Sequence, residues 1–152
     1  MRHFGKHPVH PALVHFPIAF WTAVPILDGM QLWTRNRLWW QCAFSCIAIG
    51  VVTALIAMAA GFVDLIALPA EHPAQATAQR HMLFVASSWC MFCVDLLLHS
   101  LRHEPTRLEV WLSFGASLLG FILLCTGGYV GAQLVYNFGV GQRTEHSKNS
   151  GL

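Results

Sequence analysis

Four long apolar segments alternate with short polar ones along the chain. The first runs from about Pro11 to Trp33, and the second runs from Leu38 to Leu68. The third runs from His81 to about Leu101, and the fourth runs from Val110 to about Tyr136. Each can cross a hydrocarbon core of about 30 Å, which takes about 20 helical residues. The pattern predicts an all-α, integral membrane four-helix bundle that runs up-down-up-down, with both termini on the same side.

On this interpretation residues 1–141 form one transmembrane domain, and the polar residues 142–152 form a disordered tail. The first apolar segment is too long for a secretory signal peptide, and Thr34-Arg35-Asn36-Arg37 follows it instead of small residues. We therefore expect a retained helix. The sequence shows no internal repeat.

The composition agrees with a membrane protein. Of the 152 residues, 55% are hydrophobic and 11% are charged, whereas a typical soluble domain has about 25% charged residues. A small soluble domain has to cover itself with charge, and this chain lacks the residues to do so. The net charge of +2 is small and its basic residues lie in loops and termini, so we expect a lipid bilayer and no nucleic acid as partner.

Tryptophan and arginine indicate how the helices sit in the membrane. The tryptophans that flank the first and third loops are typical of an interfacial aromatic belt; they are Trp33, Trp39, Trp40 and Trp111. The same two loops carry Arg35, Arg37, Arg102 and Arg107, whereas the second loop carries only Arg80. Because cytoplasmic loops are enriched in basic residues, we expect a bacterial inner-membrane protein with periplasmic termini.

Polar residues recur inside the apolar segments at helical spacing. On the third helix they are His81, Ser88, Asp95 and His99, which share one face and should point at other helices. Small residues line one face of the second helix (Gly50, Thr53, Ala57, Gly61) and of the fourth (Ser113, Ser117, Gly120, Gly127, Gly131). Such faces are typical of close helix packing in lipid. Asp64 continues the face of the second helix, and packing alone does not need a carboxylate.

The topology predicts two polar clusters, one in each leaflet. The first and third helices run in the same direction, and each starts where the second and fourth end. One cluster, on the side of the termini, contains His10, His15, Asp64 and His81. The other contains Asp28, Asp95 and His99. Ionisable groups inside a membrane are costly unless they face the bundle interior, so both clusters are candidate functional sites.

The chain resembles a bacterial family of predicted membrane proteins known as domain of unknown function 2231. The resemblance rests on His10-Pro11-Ala12-Leu13-Val14-His15-Phe16-Pro17, Gly61-Phe62-Val63-Asp64, His81, Gly131-Ala132-Gln133-Leu134-Val135-Tyr136 and Gly139-Val140-Gly141. It spans most of the chain and implies a four-helix membrane fold. Some relatives look joined to Rieske-type iron–sulfur or cytochrome-like domains, which implies redox partners of those kinds.

Our first hypothesis is a haem b-binding electron-transfer protein. Haem iron takes two axial ligands, and histidine supplies them in membrane four-helix bundles. His15 and His81 are the expected ligands, with His10 as the alternate. Asp64 would orient one imidazole by a hydrogen bond. Asp28, Asp95 and His99 would serve proton uptake or a quinone site.

Two other hypotheses stay open. His10, His15, His81 and Asp64 offer ligands for a zinc, copper or iron ion, in a metal-binding or transport protein. Alternatively, the chain is a structural membrane subunit whose polar residues only pair with one another. A large apolar pocket would favour haem, and its absence a metal ion.

The sequence gives no support for a self-contained enzyme. It contains no nucleophile with a partnered base, no phosphate-binding loop and no nucleotide-binding fingerprint. A subunit of an oxidoreductase is the enzymatic role that stays open.

Overall fold

The structure, a computed structural model, describes residues 3–4, 7–101 and 104–141. Two short strands pair antiparallel at the N-terminus: β1 (His3–Phe4) and β2 (His7–Pro8). Five helices follow: α1 (Val9–Leu13), α2 (His15–Thr34), α3 (Arg37–Ile66), α4 (Gln75–Leu101) and α5 (Arg107–Tyr136). Helices α1 and α2 belong to one apolar span, His10–Thr34, and meet at Val14. Residues 142–152, the proposed tail, lie outside the described residues.

Local sequence explains where the helices end. The backbone of Arg35 turns left-handed (φ 54°) and ends α2, and the side chain of Asn36 then accepts a hydrogen bond from the backbone N–H of Leu38. Thr106 and Glu109 form a capping box at the start of α5. Beyond the end of α5, Gly139 adopts a φ of 62°, which a glycine tolerates without strain. Only residues 35–36 connect α2 to α3, and residues 67–74 connect α3 to α4, so neighbouring helices run antiparallel.

Helix α4 begins well before the predicted start at His81. Residues 75–80 are polar, so a search for apolar segments passes over them, but glutamine, alanine and arginine are good helix formers. The helix thus continues beyond the apolar region towards the second loop.

The four long helices form a square bundle. Helices α2 and α4 each pack against both α3 and α5, and they face each other across the centre, where Trp21 stacks on Phe92 with ring centres 4.3 Å apart. The interior holds small and polar side chains, including the fully buried Ser88 and Ser113, whereas large apolar side chains such as Ile26 and Leu101 point outward. All four spans are long and apolar enough to cross a membrane. The predicted four-helix membrane fold is confirmed.

The tryptophans divide into two groups. Trp33 and Trp111 are exposed near the first and third loops, as an interfacial belt requires. Trp40 is only 2% exposed, because its indole stacks on the imidazole of His99 with ring centres 3.7 Å apart. The interfacial prediction is therefore wrong for Trp40, since hydropathy does not reveal which side of a helix-end tryptophan faces the bundle.

The bundle contains an internal repeat that the sequence does not reveal. At an offset of 71 residues, four of the five buried residues of α2 correspond to the buried residues of α4: Pro17 to Ser88, Trp21 to Phe92, Val24 to Asp95, and Asp28 to His99. At an offset of 70 residues, five of the six buried residues of α3 correspond to those of α5: Trp40 to Val110, Ala43 to Ser113, Ile47 to Ser117, Gly50 to Gly120, and Ala57 to Gly127. The sixth, Ala54, corresponds to the partly buried Leu124. The hairpins α2–α3 and α4–α5 are thus two copies of one unit. Since α2 and α4 run in the same direction, a pseudo-two-fold axis along the bundle relates them.

Each copy packs one aromatic ring on one glycine. A Cβ at Gly50 would collide with the indole of Trp21, and a Cβ at Gly120 would lie 2.9 Å from Cε2 of Phe92. These two glycines therefore let the stacked Trp21–Phe92 pair fit at the centre of the bundle. Most residue identities differ between the two copies, although the same positions are buried. The repeat is therefore visible in the structure and not in the sequence.

We expect Gly120→Ala to lower the free energy of unfolding by about 1–3 kcal/mol, because the added methyl overpacks the Phe92 ring. Gly115→Ala is the matched control on the same helix, since nothing lies within 4 Å of its Cβ position. Thermal unfolding of both variants in one detergent measures the difference. Equal stability of the two variants would contradict the packing described for Phe92.

Candidate functional site

Two imidazoles face each other across the bundle on the side of the termini. His10 lies in α1 and His81 in α4, at corresponding positions of the two repeats. Their ring centres are 6.5 Å apart and their planes are nearly perpendicular, at 81°. Each comes from a different copy of the repeat, so the pair straddles the pseudo-two-fold axis.

Each imidazole is held by the backbone of the adjacent helix in the same way. Nδ1 of His10 lies 2.8 Å from the carbonyl oxygen of Ala57, and Nδ1 of His81 lies 2.8 Å from that of Gly127. A carbonyl oxygen only accepts, so each Nδ1 carries the hydrogen. In a neutral imidazole Nε2 then keeps its lone pair, and a metal binds that nitrogen. Both side chains therefore leave Nε2 free to accept a hydrogen bond or to bind a metal.

Two glycines make room for these rings. A Cβ at Gly61 would lie 2.9 Å from Cε1 of His10, and a Cβ at Gly131 would lie 2.9 Å from Cε1 of His81. Gly61 follows Ala57 by one helical turn, and Gly131 follows Gly127 in the same way. Each helix thus offers a backbone carbonyl that accepts a hydrogen bond from the imidazole. One turn later it has a glycine, whose missing side chain leaves space for the same ring.

A cavity of about 570 Å³ opens beside the two imidazoles. Its lining is mostly apolar and comes from all four helices; it includes Val14, Ile18, Met58, Met82, Leu124 and Leu134. Ligand pockets commonly have volumes of about 300–1,000 Å³ and a few placed polar groups in an apolar lining. This cavity matches that description, with the imidazoles as its placed polar groups.

The other two residues predicted for this cluster lie elsewhere or act differently. His15 is exposed on the outer face of α2, and Nδ1 of its ring lies 3.4 Å from the carbonyl of Ala12 in its own chain segment. The geometry therefore brings His81 together with His10, the alternate ligand, and not with His15. Asp64 lines the cavity but makes no hydrogen bond to either imidazole, since backbone carbonyls orient both rings. His103 lies outside the described residues.

Within the described residues, no group of three His, Cys, Asp or Glu side chains is arranged to hold a metal ion. The four-ligand set proposed from His10, His15, His81 and Asp64 is thus not assembled by this geometry. What the structure does assemble is a pair of imidazoles beside a large apolar cavity.

The second predicted cluster comes together in the opposite half of the bundle. Asp28, Asp95 and His99 are all buried, with side chains wholly removed from solvent for the histidine and both carboxylates. Nδ1 of His99 lies 3.2 Å from Oδ1 of Asp95, and Nε2 lies 3.5 Å from Oδ1 of Asp28. The imidazole therefore lies between two carboxylates.

Two serines of α5 complete this cluster, which we call the carboxylate cluster: Asp28, Asp95, His99, Ser113 and Ser117. Ser117 donates to Oδ2 of Asp28 at 2.7 Å, and Ser113 donates to Oδ1 of Asp95. Sequence reasoning assigned both serines to helix packing. Their spacing of one helical turn, at the depth of the two aspartates, was the available signal.

One family of known proteins matches most of the chain. Residues 6–144 match the family model described as a predicted membrane protein (DUF2231). The chain belongs to this family. The matched region contains both the histidine pair and the carboxylate cluster of this DUF2231 protein. Comparisons with curated proteins and with solved structures return no significant match.

We expect Ser117→Ala to lower the free energy of unfolding by about 1–2 kcal/mol, because Oδ2 of the buried Asp28 loses its closest donor. Ser45→Ala is the matched control, since the exposed Ser45 hydroxyl bonds only the carbonyl of Gln41 in its own helix. Chemical unfolding in mixed micelles compares them. If both substitutions have the same small effect, the Ser117–Asp28 hydrogen bond does not stabilise the bundle.

Proposed function

We propose that this DUF2231 protein binds one haem b in its membrane domain, with His10 and His81 as axial ligands, and transfers electrons. The observation that carries the proposal is the pair of imidazoles beside the 570 Å³ cavity, each with Nδ1 committed to a backbone carbonyl. Fixing Nδ1 in this way leaves Nε2 as the ligand atom of both rings.

The separation of the two rings supports this ligation. The ring centres of His10 and His81 are 6.5 Å apart. Two imidazoles this close could both hold one iron through Nε2.

The same geometry favours haem over a bare metal ion. A porphyrin supplies four of the six ligands to iron, so two protein ligands are enough. A bare zinc, copper or iron ion needs three or four protein ligands, and the described residues offer no such group. The apolar lining suits a macrocycle, and bound haem would supply one-electron redox chemistry.

The role in the cell follows from this proposal. A one-electron carrier in a bilayer requires a donor and an acceptor, for which Rieske-type or cytochrome-like proteins and quinone are the candidates. Among the loops, the first and third carry four arginines and the second carries one, which supports a bacterial inner-membrane protein with periplasmic termini. The basic residues of the termini partly balance this count; they are Arg2, Lys6, Arg143 and Lys148. The histidine pair would then lie in the periplasmic half of the bilayer, and the carboxylate cluster in the cytoplasmic half.

We expect the protein, purified in mild detergent after expression with added haem precursor, to show the sharp reduced absorption band of six-coordinate haem b on dithionite addition. His10→Ala and His81→Ala should each abolish that band, because each removes one of the two axial ligands. His15→Ala is the matched control and should keep it, since His15 is exposed outside the cavity.

A second pair of variants tests how the His81 imidazole packs on Gly131, without removing either histidine. Gly131→Ala should weaken or broaden the band, because its methyl would press on Cε1 of His81. Gly115→Ala, on the same helix but outside the cavity and with nothing within 4 Å of its Cβ position, should not. A protein that stays colourless with haem supplied, or a band lost only in His15→Ala, would refute the proposal.

We expect an alkaline phosphatase fused after Leu152 to be active and a green fluorescent protein fused there to be dark, because the proposed orientation puts the C-terminus in the periplasm. A fusion in the first loop, after Asn36, should show the reverse pattern. Fluorescence from the C-terminal fusion would invert the orientation but would leave the haem proposal standing.

A further inference from the structure

The carboxylate cluster lies far from the histidine pair, in the opposite half of the bundle. Fourteen residues separate His81 from Asp95 on α4, which places the two sites about 21 Å apart along the bundle. The titratable groups that face one another here are Asp28 from α2 and Asp95 and His99 from α4. Helix α3 contributes the indole of Trp40, and α5 contributes the hydroxyls of Ser113 and Ser117.

The surroundings of His99 indicate a protonated ring. Nδ1 faces three oxygens: the backbone carbonyl of Asp95 at 3.1 Å, its Oδ1 at 3.2 Å and the hydroxyl of Ser113 at 3.2 Å. Nε2 faces Oδ1 of Asp28 at 3.5 Å. The contact from Nε2 is an ion-pair distance and not a hydrogen bond. The ring therefore lies between two carboxylates, which favour its charged form, with Nδ1 as its hydrogen-bond donor. The stacked indole of Trp40 adds the attraction of an aromatic face for a cation.

The charges of the cluster then do not balance. An imidazolium and two carboxylates carry a net charge of −1, inside a bundle whose outer surface is apolar. An uncompensated charge buried in this way costs several kcal/mol. The arginines that the structure describes near this end are Arg35, Arg37 and Arg107, and all three are exposed. Arg37 pairs with Glu104 at 3.7 Å, so no described arginine is buried with the cluster.

We propose that the carboxylate cluster is a proton-binding site that holds one exchangeable proton on the pair Asp28–Asp95, in addition to the protons of His99. Binding forms one O–H bond on a carboxylate oxygen, moves no electrons and changes the net charge of the cluster from −1 to zero. The cluster then consists of an imidazolium, one carboxylate and one carboxylic acid. The proposal does not depend on haem.

One carboxyl oxygen is free for that proton. Oδ2 of Asp95 is buried and accepts no hydrogen bond from the described residues, whereas Oδ1 of Asp28 faces Nε2 of His99 at 3.5 Å. Their partner oxygens, Oδ2 of Asp28 and Oδ1 of Asp95, already accept from Ser117 and Ser113. The proton can therefore bind without displacing either serine.

The internal repeat supports a role beyond packing. The other copy of the repeat fills the positions of Asp95, Ser113 and Ser117 with Val24, Ala43 and Ile47. Apolar side chains thus suit this layer of the bundle in one copy, and the polar set appears in the other. Stability alone does not explain the exchange, since interhelical polar contacts in membranes average only about 0.6 kcal/mol.

The carboxylate cluster lies near one end of the bundle. His99 is followed by only two residues of α4 before the helix ends at Leu101, and Asp28 lies less than two turns from the end of α2 at Thr34. Water on the side of the first and third loops is therefore the nearest source of the proton.

Infrared spectroscopy of the protein in H₂O and D₂O tests this proposal. Wild-type protein at neutral pH should show a carboxylic acid C=O band that shifts down in D₂O and disappears as the pH rises. Asp28→Asn and Asp95→Asn should each abolish the band, because the remaining carboxylate and the imidazolium already balance. If one variant does not accumulate, the other decides.

Asp64→Asn is the matched control, since it removes the third intramembrane carboxylate but leaves the carboxylate cluster intact. The band should persist in this variant. Absence of the band from wild-type protein at every pH between about 5 and 9 would overturn the proposal. A band that survives in both cluster variants, or that is lost only in Asp64→Asn, would overturn it equally.

Discussion

A polar side chain inside a bilayer has no water to bind, so it depends on whatever the neighbouring helix can offer. In this bundle the neighbour offers backbone carbonyls, and it can do so only where glycine lets the helices come close. His10 reaches the carbonyl of Ala57 over Gly61, and His81 reaches that of Gly127 over Gly131. The same close approach seats Trp21 and Phe92 on their glycines in the middle of the bundle. Both the packing and the arrangement of the histidines follow from this one constraint.

The internal repeat is symmetric in residue type in one half of the bundle and asymmetric in the other. On the side of the termini the repeats have kept equivalent residues, so the histidine pair is symmetric about the axis. On the other side Asp28 of one repeat corresponds to His99 of the other, and three polar residues of the second repeat correspond to apolar residues of the first. A cation–carboxylate contact across the axis needs unlike partners, whereas two equal ligands to a central atom need like ones. Symmetry kept at one end and lost at the other is therefore consistent with two distinct tasks.

Much of this could be predicted from the sequence, because helical periodicity and apolar length are local properties. They gave the four spans, the inward stripe of α4 and the division of the polar residues between the two leaflets. The pairing of His81 with His10 instead of His15 was within reach of the sequence. The backbone stays helical through Val14, so two histidines five residues apart point about 140° away from each other, and only His10 shares the face of the buried Pro17 and Trp21. The burial of Trp40 and the hydrogen bonds of Ser113 and Ser117 depend on contacts between helices, which no single segment encodes. The repeat was hidden because its copies share shape at buried positions and little residue identity.

The pseudo-two-fold axis has a consequence for anything flat that binds between His10 and His81. A half-turn about the axis exchanges the two imidazoles and most of the cavity wall, so a planar ligand would meet nearly the same surroundings in either of two orientations. The wall differs at several positions, such as Met58 against Gly128, but only the difference between Asp64 of α3 and Leu134 of α5 adds an ionisable group. One carboxylate is thus the feature best placed to make the two faces of such a ligand unequal. An asymmetric macrocycle would populate both orientations in proportions that this side chain sets.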